Sequence, residues 1–127
     1  MSKNFSLVNK TRGTLPPAPF ERIKNVLLGK AYDLSFALIT PTEARAVTRK
    51  TKRTDNPSNV LAFPLSKRSG EILICPATAR KQAPSYGLDP QLFIVRLFIH
   101  GCLHLAGYRH SSTMDRRENQ IAQRFDF

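Results

Sequence analysis

The most apolar stretch of the chain, Leu92 to Ala106, is interrupted by Arg96, His100 and His104. It is too short and too broken to cross a bilayer, so it reads as a helix of a folded protein. Asp89 supplies an N-cap and Pro90 fills the first helical position. Gly107 follows the last apolar residue and marks the stop. The helix therefore runs from Pro90 to about Ala106 and carries two of the chain's three histidines.

Other elements follow from periodicity. The N-terminal segment MSKNFSLVNKTRG reads as a first strand with a basic edge. After the proline-rich Leu15 to Pro19, the apolar residues Phe20, Ile23, Val26 and Leu27 recur at helical spacing, and Gly29 ends that helix. Tyr32, Leu34, Phe36 and Leu38 alternate, which predicts a strand. Thr40 caps a helix over Pro41 to about Lys50. Residues 49–57 form a basic loop. Val60 to Pro64 and Glu71 to Cys75 are short strands separated by a turn over Ser66 to Gly70. Pro76 to about Tyr86 suits a helix closed by Gly87, and a last helix covers about Thr113 to Arg124. The order predicts an α+β protein, with a small mixed sheet of about four strands packed with about five helices. Length predicts a single domain over residues 1–127.

Twenty Lys and Arg face nine Asp and Glu, a net charge of +11. Such a field concentrates polyanions and speeds their association. Nucleic acid is the first partner this implies and an anionic membrane surface the second, against a basic coat that serves only solubility. Two cysteines, Cys75 and Cys102, and the lack of a secretory apolar region predict a reduced, intracellular setting, cytoplasmic or, in a eukaryote, organellar.

All three histidines fall within HGCLHLAGYRH, residues 100–110. His100 and His104 are four apart, hence one turn apart on one helix face, where two imidazoles can share a metal ion. The break at Gly107 lets His110 return as a third ligand. Three imidazoles leave the fourth position of a tetrahedral zinc site open to water or substrate, as a catalytic metal requires. Imidazole also suits nickel, copper and iron. The zinc-protease helix has Glu directly after its first histidine as general base; here that residue is Gly101, which excludes that mechanism. Cys102 lies about 200° around the helix from either histidine and reads as a small core residue, as does Cys75. Arg96 shares the face of His100. It is either a snorkelling arginine at the core edge or a contact to substrate phosphate.

HGCLHLAGYRH resembles the histidine signature of the YbeY family of ribosomal-RNA maturation factors. Ser58 to Pro64 (SNVLAFP) and Gly70 to Cys75 (GEILIC) are similar to two further segments of that family, in the same order. The resemblance runs from about Phe20 to about Ala122. It implies an α+β metal-binding endoribonuclease acting on single-stranded RNA. It further implies ribosomal-RNA end maturation, ribosome quality control, and a ribosomal subunit or protein as partner.

Three positions depart from the family pattern. Arg109 replaces an aspartate before the last histidine, and an arginine cannot orient a ligand imidazole. Thr48 and Lys52 stand where the family has Asn and Arg, with Arg53 adjacent to Lys52. Lysine binds phosphate as a point charge without the bidentate fork. On this reading Lys52 or Arg53 neutralises developing phosphoryl charge. Ser58 and Asn59 orient substrate or water. No general base stands out, and Glu71 reads better as an exposed strand residue. Two rivals remain: a non-catalytic RNA- or ribosome-binding factor with a structural metal, and a hydrolase of small molecules or peptides.

Overall fold

The computed structural model describes residues 4–51 and 60–127. Among the described residues, four strands and five α-helices follow in the order β1 (Phe5–Asn9), α1 (Phe20–Leu28), β2 (Asp33–Leu38), α2 (Pro41–Lys50), β3 (Val60–Ser66), β4 (Ser69–Ile74), α3 (Pro76–Gln82), α4 (Pro90–Leu105) and α5 (Ser112–Arg124). The α+β expectation holds. The sheet order is β1-β2-β4-β3; β1 and β4 flank β2 in parallel, and β3 closes one edge antiparallel to β4.

β4 is central and its side chains are buried on both faces, which explains its continuous apolar run. Ile72 and Ile74 join the larger core, whereas Leu73 joins a smaller one with Ile39, Ala44 and Leu61 that lies under α2. The larger core gathers around Phe98 of α4. Phe36 lies 4.7 Å from it between ring centroids, Phe20 5.0 Å and Phe5 6.5 Å. These rings tie α1, β1 and β2 to α4 through tilted and edge-on contacts, the arrangement aromatic pairs favour. α4 is thus the packed spine of the molecule, touching α1, α3, α5, β3 and β4.

Caps set the ends of the spine as its sequence implies. The Asp89 carboxylate accepts from the Gln91 amide at 3.0 Å. At the other end Gly107 takes φ = 102°. The Gly107 amide donates to the His104 carbonyl at 3.0 Å and the Tyr108 amide to the Leu103 carbonyl at 3.0 Å. That is a Schellman cap, and its left-handed residue strongly favours glycine. It reverses the chain immediately after His104. Ser111 then caps α5 by accepting from the Met114 amide at 3.2 Å.

Two element boundaries differ from the sequence reading. The helix expected over Pro76 to Tyr86 stays α-helical only to Gln82 and tightens into a 3₁₀ turn over Ala83–Tyr86. Pro84 has no N–H to give the α pattern, and its ring crowds the preceding turn. β3 does not stop at Pro64 but continues to Ser66 through an irregularity in register. It is an edge strand, where a missing donor is tolerated. The turn expected over Ser66 to Gly70 shrinks accordingly to Lys67 and Arg68.

Candidate metal centre

The spine and the cap after it place the histidines. His100 and His104 project from one face of α4, and the reversal at Gly107 returns His110 to them. The ring centroids lie 4.7 Å apart for His100 and His104, 4.7 Å for His104 and His110, and 5.0 Å for His100 and His110. One nitrogen from each ring falls within 4.8 Å of the others. Three imidazole nitrogens around a tetrahedral zinc stand ~3.3 Å apart, given Zn–N distances of about 2.0–2.1 Å. Small side-chain rotations close that difference, so the donor set fits a transition metal with an open coordination position. His110 is exposed and the other two are half-buried, which keeps one side accessible.

A carboxylate that the sequence reading missed stands behind this cluster. Glu118 of α5 places Oε1 3.0 Å from Nδ1 of His100. A carboxylate accepts from a protonated Nδ1, and that tautomer leaves Nε2 free to bind a metal. The other Glu118 oxygen lies 3.8 Å from Nη1 of Arg96. Arg96 Nη1 also donates to Asn119 Oδ1 at 2.8 Å, while its Nε is buried with no partner among the described residues. The orienting acid therefore comes from α5 and not from position 109, where Arg109 is exposed. A signal existed. Glu118 falls between Met114 and Ile121 on the buried stripe of α5, and a carboxylate on an apolar face needs a partner.

A cavity of about 390 Å³ opens beside the cluster, lined in part by Arg96, His100, His110, Asp115 and Glu118. Arg96 shares the wall with His100, as their spacing predicts. Lys52, Arg53, Ser58 and Asn59 lie outside the described residues. Thr48 is buried, and its hydroxyl donates to the Ala44 carbonyl at 2.7 Å, so it serves the α2 packing. Glu71 is half-buried on β4 and lines none of this cavity. Cys102 is fully buried, and desolvation pushes its thiol pKa well above the usual range, against an opposing effect of Lys24. Gly101 faces β4: a Cβ there would meet Ile72 Cδ1 at 3.1 Å. That contact accounts for the residue after the first histidine, since a glutamate has no room.

An α+β scaffold presenting three convergent histidines beside a cavity, in a chain of net charge +11, fits a metal-dependent enzyme acting on a polyanion. Comparison with known proteins narrows the class. Residues 19–126 match the family model described as Endoribonuclease YbeY. The Endoribonuclease YbeY of Neisseria meningitidis serogroup A is 37% identical over 121 residues, 84% of this chain and 71% of that protein. The Endoribonuclease YbeY of a Sulfurovum species is 32% identical, covering 95% of this chain and 90% of that one. A solution structure from Thermotoga maritima shares the fold, with a TM-score of 0.67 at 22% identity over 94% of this chain and 87% of that chain. The chain belongs to the YbeY endoribonuclease family. No helix among the described residues is long and apolar enough to cross a membrane.

Proposed function

We propose that this chain is a single-domain endoribonuclease that hydrolyses single-stranded RNA with one zinc ion held by His100, His104 and His110. The convergence of three imidazole nitrogens within 4.8 Å carries the reading. When bound, the metal supplies a water of lowered pKa and polarises a phosphate oxygen. The protein's own groups do the rest. Glu118 fixes the His100 tautomer and ring orientation. Arg96, tied to Asn119, holds positive charge on the cavity wall. Lys52 or Arg53 neutralises phosphoryl charge, and Ser58 and Asn59 orient substrate or water; the place of Ser58 and Asn59 in the family segment and the basic sequence of residues 49–57 support this. The family resemblance supports a role in ribosomal-RNA end maturation and ribosome quality control in the cytoplasm, beside a ribosomal subunit.

The test is elemental analysis of the purified protein and of His104→Ala, followed by incubation with single-stranded RNA. About one equivalent of zinc and cleavage in the wild type, with both lost in the variant, is the expected outcome. Metal without cleavage would favour an RNA-binding assembly factor. Failure to take up any metal would overturn the site itself.

A further inference from the structure

The cavity beside the histidines has a second wall whose chemistry the metal site does not use. Tyr86 ends the 3₁₀ turn and is 64% exposed. Its ring stacks on Phe93 with centroids 5.0 Å apart and an interplanar angle of 26°. Phe93 is almost completely buried, so one face of the Tyr86 ring rests on the core and the other is open. Gly87 follows at φ = 66°, and its amide donates to the Pro84 carbonyl at 3.0 Å. The ring is therefore held by a closed turn and a buried partner. Three large apolar side chains are exposed among the described residues, Val8, Leu65 and Tyr86, and Tyr86 lines the cavity that the histidines share.

The rest of that wall is apolar, from Val60, Leu88 and Leu97. Phe93 and His100 are seven residues apart on α4, two turns or about 10.5 Å of rise. A flat aromatic group on Tyr86 would thus belong to the nucleotide next to the phosphate at the histidines, not to the phosphate's own attachment point. An aromatic platform with a cation alongside is how proteins hold unpaired bases without reading their sequence; here the cation is Arg96.

The geometry points to a nucleobase subsite: the open face of Tyr86 stacks an unpaired base of the RNA strand whose neighbouring phosphate lies at His100, His104 and His110. This deepens, and rests on, the endoribonuclease reading. It also supplies a physical reason for single-strand preference. A paired base already has both faces covered within the helix and presents no open face to Tyr86.

The test uses short RNA oligomers carrying one 2-aminopurine, a base whose fluorescence falls on stacking, placed at successive positions. Binding is read first with chelator-treated protein, so that it does not depend on cleavage. Wild-type protein and Tyr86→Phe should quench the probe at one position. Tyr86→Ala should lose that quench and bind about tenfold more weakly, within the range for one stacked base. In cleavage by metal-loaded protein the same variant should raise KM about tenfold with kcat little changed, because a stack kept through the reaction is uniform binding. An RNA lacking the base at the quenched position should bind wild type and Tyr86→Ala alike. Equal affinity of wild type and Tyr86→Ala for the intact strand would overturn the subsite, as would equal weakening on the abasic strand. Tyr86-dependent quenching in a protein that cuts no RNA would overturn the nuclease reading and leave the subsite standing.

Discussion

Glu118 Oε1 lies 3.0 Å from Nδ1 of His100, across the packing seam between α4 and α5. The contact engages Nδ1 of His100 and leaves Nε2 as the nitrogen available to a metal. It also ties α5 to the metal centre, because the same carboxylate lies near Arg96. Carboxylates placed this way raise ligand basicity and hold the ring, and losing them typically weakens metal binding about 10–100-fold. Glu118→Gln, similar in shape but uncharged, should weaken zinc binding by that factor while the fold persists. A competition titration against a chromophoric chelator measures it; unchanged affinity would show that His100 is held by packing alone.

Metal should also stabilise the fold, because the three ligands come together only in the native chain. A ligand that binds the folded state alone adds about 2.7 kcal/mol at a free concentration one hundred times Kd. Wild-type protein should therefore melt several degrees higher with zinc than with chelator, and His104→Ala should melt alike in both. An equal zinc shift in the variant would mean that the ion binds elsewhere.

How much of this was legible in advance depended on sequence distance. The Asp89 cap, the stop at Gly107 and the return of His110 are decided by residues within a few positions of one another, and local rules found them. The Glu118 contact joins residues 18 positions apart through the angle between two packed helices, which no periodicity encodes. Pro84 is plain in the sequence, but a proline there allows either a helix end or a 3₁₀ turn, and packing of the following residues selects the turn. Tyr86 read as an ordinary helix residue because its partner Phe93 lies beyond a glycine turn. The sheet order has the same character: β4 sits between β2 and β3 through a parallel crossover that only burial on both faces selects.

Gly101 makes packing, not chemistry, the reason for the residue after the first histidine. A Cβ there would stand 3.1 Å from Ile72 Cδ1 and 3.3 Å from Cγ1, and Ile72 is completely buried with nowhere to yield. Alanine is the better helix former by about 1 kcal/mol, but overpacking costs about 1–3 kcal/mol. Gly101→Ala should therefore lose about 1 kcal/mol in urea unfolding. Ile72→Val removes the nearest methyl and should recover part of that loss in the double variant, a coupling that distant sites would not show. Simple additivity of the two substitutions would contradict the contact.

Both thiols should be inert in the native state. Cys75 and Cys102 are buried, and burial pushes the Cys102 thiol pKa upward, away from the reactive thiolate. Raising the pH to 9 should not bring Cys102 into reaction with iodoacetamide, whereas adding urea should expose both thiols together. Alkylation of one cysteine in folded protein would reveal a local opening at that element.

Lys24 gives the fold a distinctive alkaline response. Its side chain is buried in α1, and Nζ donates to Asn25 Oδ1 at 3.2 Å and to the Lys30 carbonyl at 3.1 Å. Burial lowers its pKa from the usual 10.5, an effect that Glu21, Asp33 and Cys102 only partly offset. Below the lowered value, folded and unfolded chains both carry the proton, and folding bears the full cost of burying an ammonium. Between the lowered value and 10.5 the unfolded chain binds more protons than the folded one, so this group's contribution to stability rises with pH. Above 10.5 the amine is neutral in both states and the cost is gone. Lys24→Met keeps most of the side chain's length and removes the titration, at the loss of two hydrogen bonds. The stability of Lys24→Met relative to wild type should therefore be most favourable near neutral pH and should fall steadily as pH approaches 10.5. Urea unfolding of both proteins across that range measures the difference. A relative stability that climbs with pH would mean that Glu21 and Asp33 hold the ammonium in place more strongly than burial opposes it.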